Sequence, residues 1–421
     1  MQGRVGVVVA VALVAGLAWT LVLLRWPPST SQVPQLALSE HSSSWATLDG
    51  RRPRLVGHRG EKSFLPEHTL ASIWQAALEG ADVIEADLAL TRDGQLVVFH
   101  NEWLGETTDI AQIAALAHLQ RNATWEAPDG GQTLGRDNEW FIADLTLDEL
   151  RLVRVRQERS YPWRPHHFDG LFGILTFDEW LAAIRELEQR LGRPFDVMVE
   201  LKSSRLYNHG RTYPRFFEDR AILTLQSYGW GLAIAVNASA HADLVVAQNP
   251  PVAQTGSVAT WQSFDADTAA YLAGHSDVPV VALVDVQPWA LTPQGLDRLS
   301  SYARIVSPWK DFFVAGAEAC LRAANVTWDP AEIAGLGGFI APSDLVHEIH
   351  ARNMTVSPYT FYDSHQDMDY LCQKSAVPGA CPRTREEELY LFFELGTDYL
   401  FVENIVEARL ALQKYTNKHG Q

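Results

Sequence analysis

The chain is short of positive charge, of cysteine and of methionine. Lys and Arg number 34 against 51 Asp and Glu, a formal net charge of -17. Repulsion at that charge opposes a nucleic-acid groove or an anionic membrane surface as partner. Three cysteines allow at most one internal disulfide. Cys372 and Cys381 bracket a Pro/Gly-containing loop and are the candidate pair, leaving Cys320 free; three unpaired thiols are the alternative. The sequence has no internal repeat, no low-complexity block and no nucleotide-binding glycine fingerprint.

Long apolar runs are also scarce, and the main one lies at the amino terminus. Val5 to Leu24 carries no charge between Arg4 and Arg25, and is long enough to cross a bilayer. No small-x-small site ends it; Arg25-Trp26-Pro27-Pro28 follows, so residues 1–25 are read as an uncleaved anchor in preference to a signal segment. Flanking charges on both sides leave its orientation open. Residues 26–53, rich in Ser and Pro, read as a linker. Four N-x-S/T sequons, at Asn122, Asn237, Asn325 and Asn353, point to a lumenal or extracellular domain, membrane-anchored or secreted.

What is abundant is apolar and aromatic content, 47% and 10%, enough for a large core. Between residues 58 and 100 lie His58-Arg59-Gly60, Pro66-Glu67-His68-Thr69, Glu85-Ala86-Asp87 and Phe99-His100, each beside a short strand-forming run. Leu55-Val56-Gly57, Val83 to Leu90 and Leu96 to Phe99 read as buried strands. Thr69 to Gly80 reads as a helix, with Leu70, Ile73, Trp74, Ala77 and Leu78 at helical spacing. Later helical patterns alternate with the strand-like runs Phe195 to Lys202, Val278 to Val284 and Tyr399 to Val402. The pattern predicts an α/β fold, a (β/α)8 TIM barrel over residues 54–412 with a long insertion, 102–175, after the third strand. Polar residues at strand carboxyl ends then face one site.

That site has the chemistry of phosphodiester cleavage, which calls for charge neutralisation, a nucleophile and a proton for the departing alkoxide. Glu85, Asp87 and Glu200 are the candidate ligands for a hard divalent cation, Mg2+ or Ca2+. Two carboxylates on one face of an apolar strand need such a cation. Arg59 and Lys202 are the candidate phosphate contacts, Arg59 for its two-pronged guanidinium. His58 and His100 are the candidate acid and base, in either order. Glu67 is placed on the substrate side or just behind the residues that contact substrate, with a helix-entry carboxylate as the alternative. Gln262 and Tyr359 are expected to line the substrate pocket, and Trp309 and Lys310 form a weaker class of the same kind.

These residues, with Val199-Glu200-Leu201-Lys202, resemble the glycerophosphodiester phosphodiesterases. The Leu65-Pro66-Glu67-His68-Thr69-Leu70 run is similar to their periplasmic type. Asp144 to Leu150, Gln262 to Asp265, Pro358-Tyr359-Thr360 and Gly396-Thr397-Asp398 agree, so the likeness covers roughly residues 54 to 410. Two positions depart from the pattern: Asn101 stands where Asp is common, and Val402-Glu403-Asn404 where Thr-Asp is frequent. The resemblance implies metal-dependent hydrolysis of a small-molecule glycerophosphodiester to an alcohol and glycerol 3-phosphate. The alternatives are a phospholipase D-like enzyme on lysophospholipids and a catalytically silent tethered barrel.

Overall fold

The computed structural model describes residues 45–127, 133–234, 236, 256–363 and 381–419. Eight parallel strands alternate with helices: β1 Arg54–Gly57, β2 Val83–Leu90, β3 Asp196–Leu201, β4 Ala259–Ser263, β5 Val280–Val284, β6 Ile305–Pro308, β7 Thr355–Val356 and β8 Tyr399–Val402. Each strand from β1 to β6 pairs with the next in parallel, and β8 pairs with β1. The stretch after β7 closes the ring: Phe361 N–H donates to Phe401 O at 2.7 Å, and Glu403 N–H to Phe361 O at 3.0 Å. The fold is the expected eight-stranded barrel.

Local sequence explains the first βα unit. Helix α1, Leu70–Glu79, starts where the Thr69 hydroxyl accepts the Ser72 N–H and stops at Gly80, whose φ of 97° a side chain would disfavour. Gly60 is required twice over. Its φ is +85°, and a Cβ there would meet Ser72 Oγ at 2.6 Å.

The remaining barrel helices are α2 Phe177–Leu191, α3 Phe216–Ser227, α4 Ala266–His275, α5 Pro293–Ser300, α6 Leu345–His350, α7 Arg385–Leu395 and α8 Ile405–His419. Trp45, inside the segment read as linker, packs on Phe393 and Tyr415 with ring centroids 6.0 and 5.2 Å away, and α8 runs past residue 412. The folded unit is therefore longer at both ends than residues 54–412. The run Val5–Leu24 lies outside the described residues, among which no helix is long and apolar enough to cross a membrane. Cys320 is free and buried and Cys381 is disulfide-bonded; Cys372 lies outside the described residues, as does Asn237.

The third strand-like run corrects one expectation. Leu96–Val98 pairs antiparallel with β2, Leu88 opposite Val98, so it is a hairpin return and not a barrel strand. The insertion thus sits between β2 and α2 and contains two small hairpins, Arg121–Glu126 with Thr133–Glu139 and Arg154–Val155 with Phe172–Gly173. A tight turn at Thr91 to Gln95 returns the chain, because Gly94 adopts φ +79° and the Thr91 hydroxyl accepts the Gln95 N–H. The return brings Phe99 N–H to Asp87 O at 2.9 Å, which sets His100 beside the acidic pair.

Behind the mouth, Glu61 is fully buried and accepts the first N–H of α8, from Ile405, at 3.0 Å. Burial, then a hydrogen bond with Glu79, pushes its pKa up to about 10. A carboxyl with a raised folded-state pKa stabilises fully below its unfolded value, and that stability is lost as pH rises through the folded value. The melting temperature is expected to fall from mildly acidic to alkaline pH, and Glu61→Gln, which keeps the acceptor, to flatten the decline. Equal slopes in thermal melts of the two proteins would contradict this.

Candidate active site

Side-chain alternation along the strands builds the site in layers. Val56, Val83, Met198, Val281, Ile305 and Phe401 meet inside the barrel and form its apolar floor. Two residues further along each strand the same face looks into the mouth. That step reaches His58 from Val56, Glu85 from Val83, Glu200 from Met198 and Glu403 from Phe401. The result is a cleft of about 320 Å3 at the carboxyl ends of the strands.

All ten sequence-predicted residues line this cleft: His58, Arg59, Glu67, Glu85, Asp87, His100, Glu200, Lys202, Gln262 and Tyr359. Arg59 adopts φ +59°, a conformation most side chains avoid, and its N–H donates to Glu85 Oε2 at 2.8 Å. Its guanidinium donates to Glu67 Oε2 at 2.8 Å and lies 3.5 Å from Asp87 Oδ2. Glu67 also meets Lys62 Nζ at 3.3 Å, while Thr69 caps the helix. Glu67 is therefore a buried ion-pair partner that holds Arg59, not a helix-entry carboxylate. Gln262 donates to Glu85 Oε1 at 3.2 Å, and the Tyr359 hydroxyl donates to Val284 O at 3.1 Å.

Burial and neighbouring charge set the protonation states. Burial, then Arg59, lowers the His58 pKa to about 4, and burial, Arg59 and Lys202 push His100 well below the usual imidazole range. Both rings are neutral at neutral pH. Burial and the Asp87 charge raise Glu85 well above the carboxylate range, and burial raises Glu200, with Asp87 adding to it against Lys202. Burial also opposes ionisation of Asp87, but His100, the His68 hydrogen bond and Lys202 overcome it and hold that carboxyl low.

The donor set fits a divalent cation. His68, Glu85 and Asp87 offer ligand atoms all within 4.8 Å of one another, and Glu200 Oε1 is a buried oxygen without a hydrogen-bond partner. His68, whose φ is +57°, swings its Nε2 to 2.8 Å from Asp87 Oδ2, so the compact trio has a histidine where the sequence pointed to Glu200. Protons on Glu85 and Glu200 compete with a cation, so affinity should rise with pH and binding should release protons. Calorimetric titration with Ca2+ or Mg2+ at about pH 6 and about pH 8, in buffers of different ionisation enthalpy, checks this. Equal affinity at both pH values would contradict it.

Some residues fall elsewhere. Lys310 is buried against Glu388, with Nζ 2.6 Å from Oε1, and neither it nor Trp309 lines the cleft. The insertion does wall the mouth, through Glu106, Thr107, Glu158 and Tyr161, whereas Asn138, Trp140, His166 and His167 stand away from it. Lys62 and Glu403 were not among the predicted site residues. Glu403 follows from the alternation that picks out Glu85, one step past an inward Phe401; Lys62 lies in a turn, where no periodicity marks it.

An eight-stranded barrel with ionisable groups gathered at its strand carboxyl ends defines a barrel enzyme. The model of the glycerophosphoryl diester phosphodiesterase family matches residues 58–406, and the chain belongs to that family of hydrolases. A glycerophosphodiester phosphodiesterase of Arabidopsis thaliana is 27% identical over 357 residues, 79% of this chain and 84% of that protein. A glycerophosphodiester phosphodiesterase of Haemophilus influenzae is 30% identical over 175 residues, 39% of this chain and 44% of that protein. The crystal structure of a Silicibacter pomeroyi protein assigned as a glycerophosphoryl diester phosphodiesterase shares the fold, with a TM-score of 0.54 and 17% identity over 88% of this chain and 98% of that one.

Proposed function

We propose that the chain hydrolyses a glycerophosphodiester to an alcohol and glycerol 3-phosphate, with His58 and His100 transferring protons beside a carboxylate-bound Mg2+ or Ca2+. The observation that carries this reading is the meeting of the imidazoles of His58 and His100, the cations Arg59 and Lys202 and the buried acids Glu85, Asp87 and Glu200 in one cleft. Arg59 and Lys202 bind the phosphate oxygens, and Gln262 and Tyr359 shape the wall around the ester groups. Glu85, Asp87 and Glu200, with His68 beside them, would hold a divalent ion, which would supply charge neutralisation at the phosphate. One imidazole accepts the proton of the attacking water. The other, its proton affinity raised by the anionic substrate, gives a proton to the departing alkoxide.

The test follows products from glycerophosphocholine, glycerophosphoethanolamine and lysophosphatidylcholine by phosphorus NMR. Glycerol 3-phosphate from the first two is the expected result. Headgroup release from the lysolipid alone would replace this reading with lipid phosphodiesterase activity, and no turnover of any would leave a silent barrel.

The same reading places the catalytic domain outside the cytoplasm, tethered by residues 1–25. Asn122, Asn325 and Asn353 are exposed, and Cys381 is disulfide-bonded, as an oxidising compartment permits. Protein made in a secretory-competent eukaryotic cell should gain mobility on a gel after endoglycosidase treatment. No shift would contradict lumenal exposure.

A further inference from the structure

Glu403 is fully buried at the end of β8, two residues past the inward Phe401. Its Oε1 faces His58 Nδ1 at 3.4 Å, within ion-pair reach though outside regular hydrogen-bond geometry, and neither atom has a hydrogen-bond partner elsewhere. Lys62 Nζ stands 3.4 Å from the same oxygen. Oε2 accepts a bond from Arg164, a fully buried side chain of the insertion, whose Nε also donates to Asp363 Oδ2 at 3.1 Å. The other flank of the His58 ring meets Phe401 edge-on, with centroids 6.1 Å apart. The imidazole thus has an aromatic wall on one side and a clamped carboxylate at Nδ1.

We propose that Glu403 is the positioning residue for His58: it accepts the Nδ1 proton, fixes that tautomer, and so presents the Nε2 lone pair to the cleft. The inference rests on the proposed hydrolytic role of His58. Glu403 touches no reacting atom; it acts through the ring. A neutral imidazole has one N–H, and a carboxylate at Nδ1 decides which nitrogen keeps it. Lys62 and Arg164 give the buried carboxylate the counter-charge it requires and fix its plane. Burial opposes its ionisation, and Lys62, the adjacent His58 ring and Arg164 override that and hold Glu403 well below the usual carboxylate range. Arg164 also ties the insertion to the site, so the insertion takes part in aiming a ring that β1 supplies.

Two readouts test this. In the wild-type protein, nitrogen-15 NMR of the His58 ring, assigned by its loss in His58→Ala, should show Nδ1 protonated and Nε2 bare at neutral pH. The opposite tautomer, or a rapidly exchanging mixture, overturns the proposal without any variant. In kinetics, Glu403→Gln can turn its amide N–H2 to the ring and select the wrong tautomer. Its kcat should fall ~10²-fold or more, as loss of a histidine-orienting carboxylate does elsewhere, while KM stays within about threefold. Glu403→Asp, which keeps the carboxylate, should restore the tautomer and part of the rate. In a His58→Ala background, Glu403→Gln should cost nothing further. A further loss there, or an unchanged kcat in Glu403→Gln, overturns the positioning role. A wild-type protein that turns over no glycerophosphodiester overturns the functional reading instead, and the pairing is then decided by the spectrum alone.

Discussion

Replacing His58 or His100 by alanine is expected to lower kcat by ~10²–10⁴-fold each, the range that general acid-base groups contribute. Burial and adjacent guanidinium or ammonium charge make both rings neutral in the cleft. Each can therefore accept a proton without first losing one. Neither ring carries the architecture. The apolar floor beneath them is built from other residues, and each variant removes a neutral side chain from a cleft wall. Melting temperatures should shift by a few degrees at most, as removal of about 1 kcal/mol would do in a domain of this size. The double variant should be little slower than the worse single one, because both act on the same proton inventory. Wild-type turnover in either single variant would remove that histidine from the mechanism.

The second large effect is expected at Asp87. Its carboxylate meets His68 at 2.8 Å and Arg59 at 3.5 Å, and its charge bears on the neighbouring Glu200 carboxyl. Asp87→Asn keeps the volume but removes the charge around which the cations and the other acids are arranged. Activity should fall by more than ~10²-fold, the loss that altering even a partner of a metal ligand can reach. The metal-free protein should lose little stability, because the like-charge repulsion that raises Glu85 and Glu200 goes with the charge. Added Ca2+ or Mg2+ raises the melting temperature of any protein that binds it only when folded. The wild type should show that rise and Asp87→Asn should not. A rise of equal size in both would place the cation elsewhere.

The barrel was legible because its strands are short, buried and apolar, and its first helix carries both of its end signals, Thr69 and Gly80. The acidic pair was legible because Glu85 and Asp87 share one face of a strand buried along its whole length. The sequence misled at Leu96 to Phe99. A buried antiparallel return and a buried parallel strand have the same composition, and only pairing tells them apart. His100 still reaches the site because the return runs back alongside β2 to the level of Asp87. Lys62 and Arg164 could not be read, since a turn and an insertion have no period and their partner Glu403 is hundreds of residues away along the chain. Glu403 itself was readable from the inward-facing Phe401, had the alternation that marks Glu85 been carried through β8.

Metal removal and return test the central claim most directly. Glycerol 3-phosphate release from glycerophosphocholine would be measured on the purified chain, then after EDTA, then with Mg2+ or Ca2+ restored in excess. The account predicts that EDTA abolishes release and that one of the two ions restores it. Release that continues undiminished in EDTA would contradict a mechanism built on the buried Glu85, Asp87 and Glu200.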